Sequence, residues 1–376
     1  MKQITPLLHI WSQYHAAERL DRNGYFAQRA AGEPGALVDP VALHPGDQEE
    51  LRELGGVAAV VLTNGDAARA QEAVALRQAL DCPVYAPAAV HEALDRAGLS
   101  GLHSIKDWEA LPGGLLPQTL TAADGSPATT LLHRPSRAWL VGDLVVGVPA
   151  GMLGLPESVE GEAVQARAVR SLRGLLSVMF DRVLVARGTP VLREGVAAVQ
   201  DLVFRHDPEA CVMRPSEAVF IPGNQHGTSY GRSGAEYARL LGLNTLDFDL
   251  QEVLPGRRST AVHRHDGDEE CFVVLAGEGE LHILRPGEKE LRRIPIAAGD
   301  VVGFPPRYQI AHSFKCTGTE PLRFLAFSAP GKESVGVIDY PLSGKRLTYA
   351  WPPGKLYRYF LPDRRDVPYF ENEPED

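Results

Sequence analysis

The sequence predicts an α+β protein of two domains, a layered α/β half followed by an antiparallel β-barrel of the jelly-roll kind. Three observations lead there. The chain has 376 residues, and at roughly 150 residues per domain that length suggests two or three domains. Up to about residue 205, strand-like and helix-like segments alternate, as in a layered α/β region. From Leu246 onward the hydrophobic period changes to two, and short strands separated by turn residues follow one another. The expected domains are therefore residues 1–205 and 206–376, the second including a linker over 205–240 and a C-terminal arm after Pro341.

Composition narrows the function. Hydrophobic residues make up 44% and charged residues 23%, which excludes a disordered chain. Lys plus Arg number 38 against 48 Asp plus Glu, a net charge of -10, so there is no basic stripe to recruit nucleic acid. Four widely spaced cysteines (Cys82, Cys211, Cys271, Cys316) form neither a disulfide framework nor a CxxC zinc ribbon. The first twenty residues lack an apolar signal core, and the most apolar stretch, Trp139 to Leu155, is broken by Gly142, Asp143, Gly147, Pro149 and Gly151. The expectation is a cytoplasmic protein with no membrane and no nucleic-acid partner.

In the first half, Gly55 to Thr63 reads as a buried strand. The following Ala- and Leu-rich segment reads as a helix with Asp66 as its N-cap and Pro83 beyond its end. Cys82–Ala86, Trp139–Val146 and Arg182–Ala186 read as further strands. Val164–Phe180 reads as a helix with Val169, Leu172, Leu176 and Met179 on one face. In the second half, Leu246, Phe248 and Leu250 alternate with Asp247, Asp249 and Gln251 as in a half-buried strand. Turn residues such as Pro255-Gly256, Pro286-Gly287 and Gly299-Asp300 separate the strands after it.

The most specific chemical signal is VHRHDGDEECFVVLAGEGEL. His263 and His265 are two apart on a strand, so both side chains leave one face. Glu270 opens the next strand, and His312 lies on a late one. Three imidazoles and a carboxylate converging inside a barrel suit Fe, Mn, Co, Ni or Zn rather than calcium. Glu269 is the competing carboxylate. Both Glu270, Phe272, Val274 and the alternate series Cys271, Val273, Leu275 are apolar enough to face inward, so parity leaves the choice open.

Residues 246–330 resemble the cupin superfamily, in particular single-barrel members without an assigned substrate. The first cupin motif is matched by Gly256 (one residue early), His263, His265, Glu270 and Gly277, and its spacing selects Glu270 over Glu269. The second is matched by Gly299, Pro305 and His312, with Arg307 in place of the usual Gly and Cys316 in place of the usual Asn. The resemblance implies metal ligands His263, His265, Glu270 and His312, with one divalent transition metal per chain. Phe272, Phe304, Tyr308 and Phe314 either wall a pocket or form barrel core, Tyr308 being the best candidate for a pocket residue. His282 is expected to be satisfied or solvent-facing, and Cys271 to be an outward structural thiol.

Residues 1–205 resemble the metallo-β-lactamase fold in the order of their landmarks: an early hairpin ending at Asp39-Pro40, a strand ending at Thr63, and the retained Gly142-Asp143 pair, which carries the family's usual bridging aspartate. The positions of metal ligands are degenerate. Asn64, Asp66, Ala68 and Arg69 stand where a His-X-His-X-Asp-His motif would follow Thr63. Gly125 and Arg187 stand where further histidines would be. Two cations cannot be neutralised and oriented by Asp66 and Asp143 alone. A guanidinium from Arg187 or Arg69 could replace the ions by pairing with these aspartates.

Two functional readings remain open on this basis. One is a mononuclear metalloenzyme, of oxygenase or isomerase type, acting on a small polar metabolite. The other is a non-catalytic metal- or ligand-binding sensor or structural protein. A metallo-β-lactamase-type hydrolase is disfavoured by the missing ligands, and a homodimer is a possible assembly.

Overall fold

The structure, a computed structural model, describes residues 1–214, 218–243, 246–329, 335–350, 357–360 and 367–373. The chain divides into two compact units, Met1–Val212 and Met213–Asp376. The first unit extends past residue 205 because the buried Arg173 guanidinium binds the carbonyls of Ala210 and Val212 and ties that segment down. No helix among the described residues is long and apolar enough to cross a membrane.

The first unit contains β1 (Lys2–Thr5), β2 (Leu8–His15), β3 (Leu20–Ala27), β4 (Gly35–Val38), α1 (Pro45–Glu53), β5 (Val57–Val61), α2 (Ala67–Leu80), β6 (Val84–Ala86), α3 (His91–Arg96) and β7 (His103–Ser104). These seven strands form one sheet in sequential order. It is antiparallel from β1 to β4 and parallel from β4 to β7, each parallel crossover carrying a helix. A second sheet of β8 (Leu115–Thr121), β9 (Pro127–His133), β10 (Ala138–Leu140) and β11 (Arg182–Leu184) is ordered β11-β10-β9-β8. Helices α4 (Glu162–Leu172) and α5 (Gly195–His206) complete the unit. The alternating faces of β3, β4 and β5 supply two cores. Tyr25, Ala36, Val38 and Val61 pack with Leu131, Leu140 and Leu184 of the second sheet, while Phe26, Leu37 and Val60 pack with Ala70, Ala73 and Leu76 of α2.

Helix α2 begins as expected: the Asp66 carboxylate accepts the backbone N–H of Arg69 at 3.0 Å, and the helix ends at Asp81 in the left-handed region. Two elements are shorter than their apolar patterns predict. The strand expected over Trp139–Val146 stops at Leu140. Gly142 turns the chain at φ +57°, where a Cβ would sit 2.7 Å from Thr63 Oγ1. The helix expected over Val164–Phe180 ends at Leu172 and tightens into a 3-10 turn, Arg173–Ser177, leaving Met179 45% exposed.

The second unit contains β12 (Ile221–His226), β13 (Tyr230–Ala235), α6 (Tyr237–Leu240), β14 (Asp247–Val253), β15 (Arg264–His265), β16 (Glu269–Ala276), β17 (Glu278–Leu284), β18 (Arg292–Ala297), β19 (Val301–Phe304), β20 (Ala311–Cys316), β21 (Leu322–Ala329), β22 (Val335–Tyr340), β23 (Lys345–Ala350) and β24 (Tyr357–Phe360). A six-stranded sheet, β12-β13-β14-β21-β16-β19, and a three-stranded sheet, β18-β17-β20, supply Phe272, Val274, Phe324, Leu281 and Phe314 to one core. Gly277 makes the β16–β17 turn at φ +80°, and a Cβ there would lie 2.5 Å from the Pro321 carbonyl oxygen.

Two expectations for the flanks are corrected. The 205–240 segment is more than a linker, because β12 and β13 add two strands to the larger sheet. The tail after Pro341 is not an arm: β23 and β24 join β22 and β15 in a four-stranded sheet, where Tyr340 and Leu347 bury themselves against Ala261. Residues 351–356, 361–366 and 374–376 lie outside the described residues.

Candidate metal centre

The cluster is assembled by backbone pairing. His263 and His312 form an isolated antiparallel bridge that exchanges both hydrogen bonds, His263 N to His312 O at 3.1 Å and His312 N to His263 O at 2.8 Å. Residues paired in this way project to the same face, and the two ring centroids lie 4.8 Å apart. His265, two residues on, keeps its ring 5.3 Å from that of His263. Glu270 comes from β16, held between β19 and β21 by pairing with Phe304 and Ser328. Its carboxylate oxygens lie 3.4 Å from His265 Nε2 and 3.3 Å from His312 Nε2. Ligand atoms of His263, Glu270 and His312 all fall within 4.8 Å of one another. Glu269 is exposed and Glu270 only 14% so, while Phe272 and Val274 are buried and Leu275 is exposed; β16 thus turns Glu270 inward.

The imidazoles are oriented from behind. His263 Nδ1 donates to the Ala261 carbonyl at 2.9 Å, leaving a lone pair on Nε2. His265 Nδ1 meets the Asp268 carboxylate at 3.1 Å, which directs Nε2 toward Glu270. His312 stacks on Phe304 with ring centroids 3.8 Å apart. Burial pushes His263 down to about 3 and takes His312 well below the usual histidine range, so both rings are neutral, as a metal ligand must be. Burial also opposes the His265 cation, but Asp268 and Glu270 outweigh it and raise that pKa. Burial raises Glu270 as well, against the pull of His265. A buried carboxylate beside the neutral rings of His263 and His312 is a donor set to which a divalent cation would restore charge balance.

In the first unit, the degenerate positions also gather. Asp143 receives Arg187 Nε on Oδ1 at 2.6 Å and Asn64 Nδ2 on Oδ2 at 2.7 Å, so both carboxylate oxygens are engaged. Asp66 caps α2 and lies 3.9 Å from Arg22 Nη1. Arg69 departs from the expectation of a pairing with these aspartates. Its buried guanidinium donates to the carbonyls of Asn23, Asp39 and Ala186, although Arg69 still lines the cavity beside Asp66 and Asp143. Gly125 occupies the exposed β8–β9 hairpin turn at φ +88°.

Comparison with known proteins agrees with both halves. Residues 1–205 match the metallo-β-lactamase superfamily, more than half of the chain. The chain belongs to the metallo-β-lactamase superfamily. Residues 249–328 match the cupin domain, so a cupin is fused behind it. An oxalate-binding protein from Thermotoga maritima is 32% identical over 120 residues, covering 31% of this chain and 90% of that protein. A sugar phosphate isomerase of the cupin superfamily from Silicibacter pomeroyi is 18% identical, covering 42% of this chain and 96% of that one, with a TM-score of 0.34. A metallo-β-lactamase from Pontibacter korlensis is 12% identical over 54% of this chain and 96% of that one, with a TM-score of 0.41.

Within the cupin domain, a cavity of about 150 Å³ abuts the histidine cluster. Phe272 and Phe314 line it while also belonging to the core, and Phe304 lines a narrow recess on the other side of Glu270 and His312. Tyr308 does not take part: the Pro305-Pro306 turn carries it to the surface, 51% exposed, with its hydroxyl accepting from Arg307. Cys271 stays off the inward series, and His282 is buried with Nε2 on Glu280 at 3.0 Å. The sequence reading missed Arg232, Glu236, Asp247, Asp249 and Gln251, which line the cavity. The alternation on β14 placed Leu246 inside, yet Leu246 is 50% exposed and Gln251 is buried, because this end of the barrel encloses a polar cavity rather than oil. Burial raises Asp249 and pushes Glu236 up to about 7. The run of acids on one strand, DFDLQE, could have flagged Asp247, Asp249 and Gln251, whereas Arg232 and Glu236 carry no such local signal.

Proposed function

We propose that the cupin domain holds one divalent transition metal on His263, His265, Glu270 and His312, and acts as a mononuclear metalloenzyme on a small polar metabolite. The observation that carries this reading is the convergence of Glu270 on His265, tied back by Asp268, and on His312, stacked on Phe304, beside His263, tied back by the Ala261 carbonyl. A bound ion supplies Lewis acidity to substrate oxygens, with redox chemistry in addition if it is iron. The chain's own residues do the rest. Arg232 reaches Gln251 with Nη1 at 3.0 Å and is a cation in the cavity wall for an acidic or hydroxyl oxygen. Glu236, poised near 7 with 33% of its side chain exposed, can hold a proton and exchange it with water. Phe272 and Phe314 give the cavity an apolar wall beside the cluster.

The cavity limits the substrate to a handful of non-hydrogen atoms. The kinship with an oxalate-binding protein supports small oxygen-rich acids or hydroxy compounds as the first class to try. Elemental analysis of protein purified without a metal-affinity tag, followed by a screen of such compounds for turnover, tests the reading. Metal without turnover would favour the sensor, and absence of metal would overturn the metalloenzyme.

A further inference from the structure

A cavity in the metallo-β-lactamase unit is far larger than the one in the barrel, about 670 Å³ against 150 Å³. Val141, Leu144, Val159, Val164 and Ala128 give it apolar walls. At one end stand Asn64, Asp143 and Arg187, which also wall a neighbouring polar cavity of about 320 Å³. Such a volume, mostly apolar with polar groups converging at one end, is that of a small-molecule site.

The charges in these walls are almost all spoken for. Arg22 gives Nε and Nη2 to Glu18. Arg167 gives Nε and Nη2 to the Ala123 carbonyl, and Asp124 accepts from Ser126 N and Oγ. Asp143 is filled by Arg187 and Asn64. Arg187 keeps the most donors, where Arg22 and Arg167 each keep at most Nη1. It commits Nε to Asp143, and neither Nη donates to an acceptor among the described residues, although the side chain is 28% exposed. Two parallel Nη donors match the two oxygens of a carboxylate. Arg167 and Arg187 against Asp124 and Asp143 leave the larger cavity without net charge, which favours a monoanion over a doubly charged phosphate.

We propose that this cleft is a binding site for an amphipathic monocarboxylate, its carboxylate on the Nη edge of Arg187 and its apolar body against Val141, Leu144, Val159 and Val164. Asp143 and Asn64 hold the guanidinium in place. In this unit an arginine thus takes the anion-binding role that a cation would have, and the cleft binds ligand without hydrolysing it. The site is independent of the barrel cluster.

The test is calorimetric titration of the full chain with 4-phenylbutyrate and with its neutral analogue 4-phenylbutanol. The acid should bind one per chain, and the alcohol at least about tenfold more weakly. Arg187→Gln should bring the acid down to the level of the alcohol and leave the alcohol unchanged. Ala128→Phe, which fills the apolar wall and leaves the arginine alone, should weaken both. Melting temperatures verify that the variants are folded. No binding of the acid, equal binding of acid and alcohol, or binding of the acid insensitive to both variants overturns the proposal; the last outcome would place it elsewhere on the chain, the barrel metal included.

Discussion

His263 and His312 exchange both backbone hydrogen bonds across one antiparallel bridge, so main-chain pairing puts two imidazoles on one face before the Ala261 carbonyl and Phe304 orient their rings. The arrangement tolerates loss of the rings better than loss of the strands. His263→Ala together with His265→Ala should leave the barrel folded and abolish its metal. Metal content per chain by elemental analysis checks this, and an unchanged ratio would refute the assignment.

The register of β16 makes a sharper claim. Glu270 faces His265 and His312, whereas Glu269 is exposed. Glu270→Gln should weaken metal binding by roughly 10–100-fold, since an amide neither balances the cation nor ligates as well. Glu269→Gln should be silent. A metal titration giving the reverse order would contradict the role assigned to Glu270.

Arg187 and Asp143 form a pair 28% and 30% exposed at 2.6 Å. That exposure places the pair between surface and buried cases, so a coupling of about 1–2 kcal/mol is expected. Asp143→Ala plus Arg187→Ala should destabilise by less than the sum of the single changes. Additive losses in denaturant melts would mean that the contact has no energetic weight. An ion located beside Asp143 by anomalous scattering would likewise contradict the view that this guanidinium has taken the cation's place.

Glu236 predicts a pH signature. Burial raises its folded pKa from 4.5 to about 7, so its contribution is fully present below about 4.5, where it is protonated in both states, and is lost as pH rises through about 7. Relative to wild type, Glu236→Gln should therefore be near neutral in stability at acid pH and more stable by about 1 kcal/mol above pH 7, the partial exposure of the side chain reducing the effect. A stability difference flat with pH would show that Glu236 is not held protonated. If Glu236 also carries the proton in turnover, the variant loses the inflection near 7 in its rate profile.

The two-part organisation and the α2 cap at Asp66 were legible in the sequence, which also named His263, His265, Glu270 and His312 as a candidate ligand set. Each rests on short-range rules: a hydrophobic period, a capping residue, a ligand spacing within neighbouring strands. What the sequence left open was decided by contacts between distant segments. Both carboxylates of β16 had apolar companions, and only pairing with β19 and β21 turned Glu270 inward. Arg69 and Arg187 looked equivalent until α2 buried one among carbonyls and the Gly142 turn brought Asp143 to the other. The polar wall of Arg232, Glu236 and Asp249 was hidden because alternation assumes that the inside of a sheet is dry. The tail read as an arm because strand pairing of β22, β23 and β24 depends on partners that no local pattern names. Local free energy writes periodicity and caps into the chain, but which side chains meet is settled only when non-local backbone pairing closes the fold.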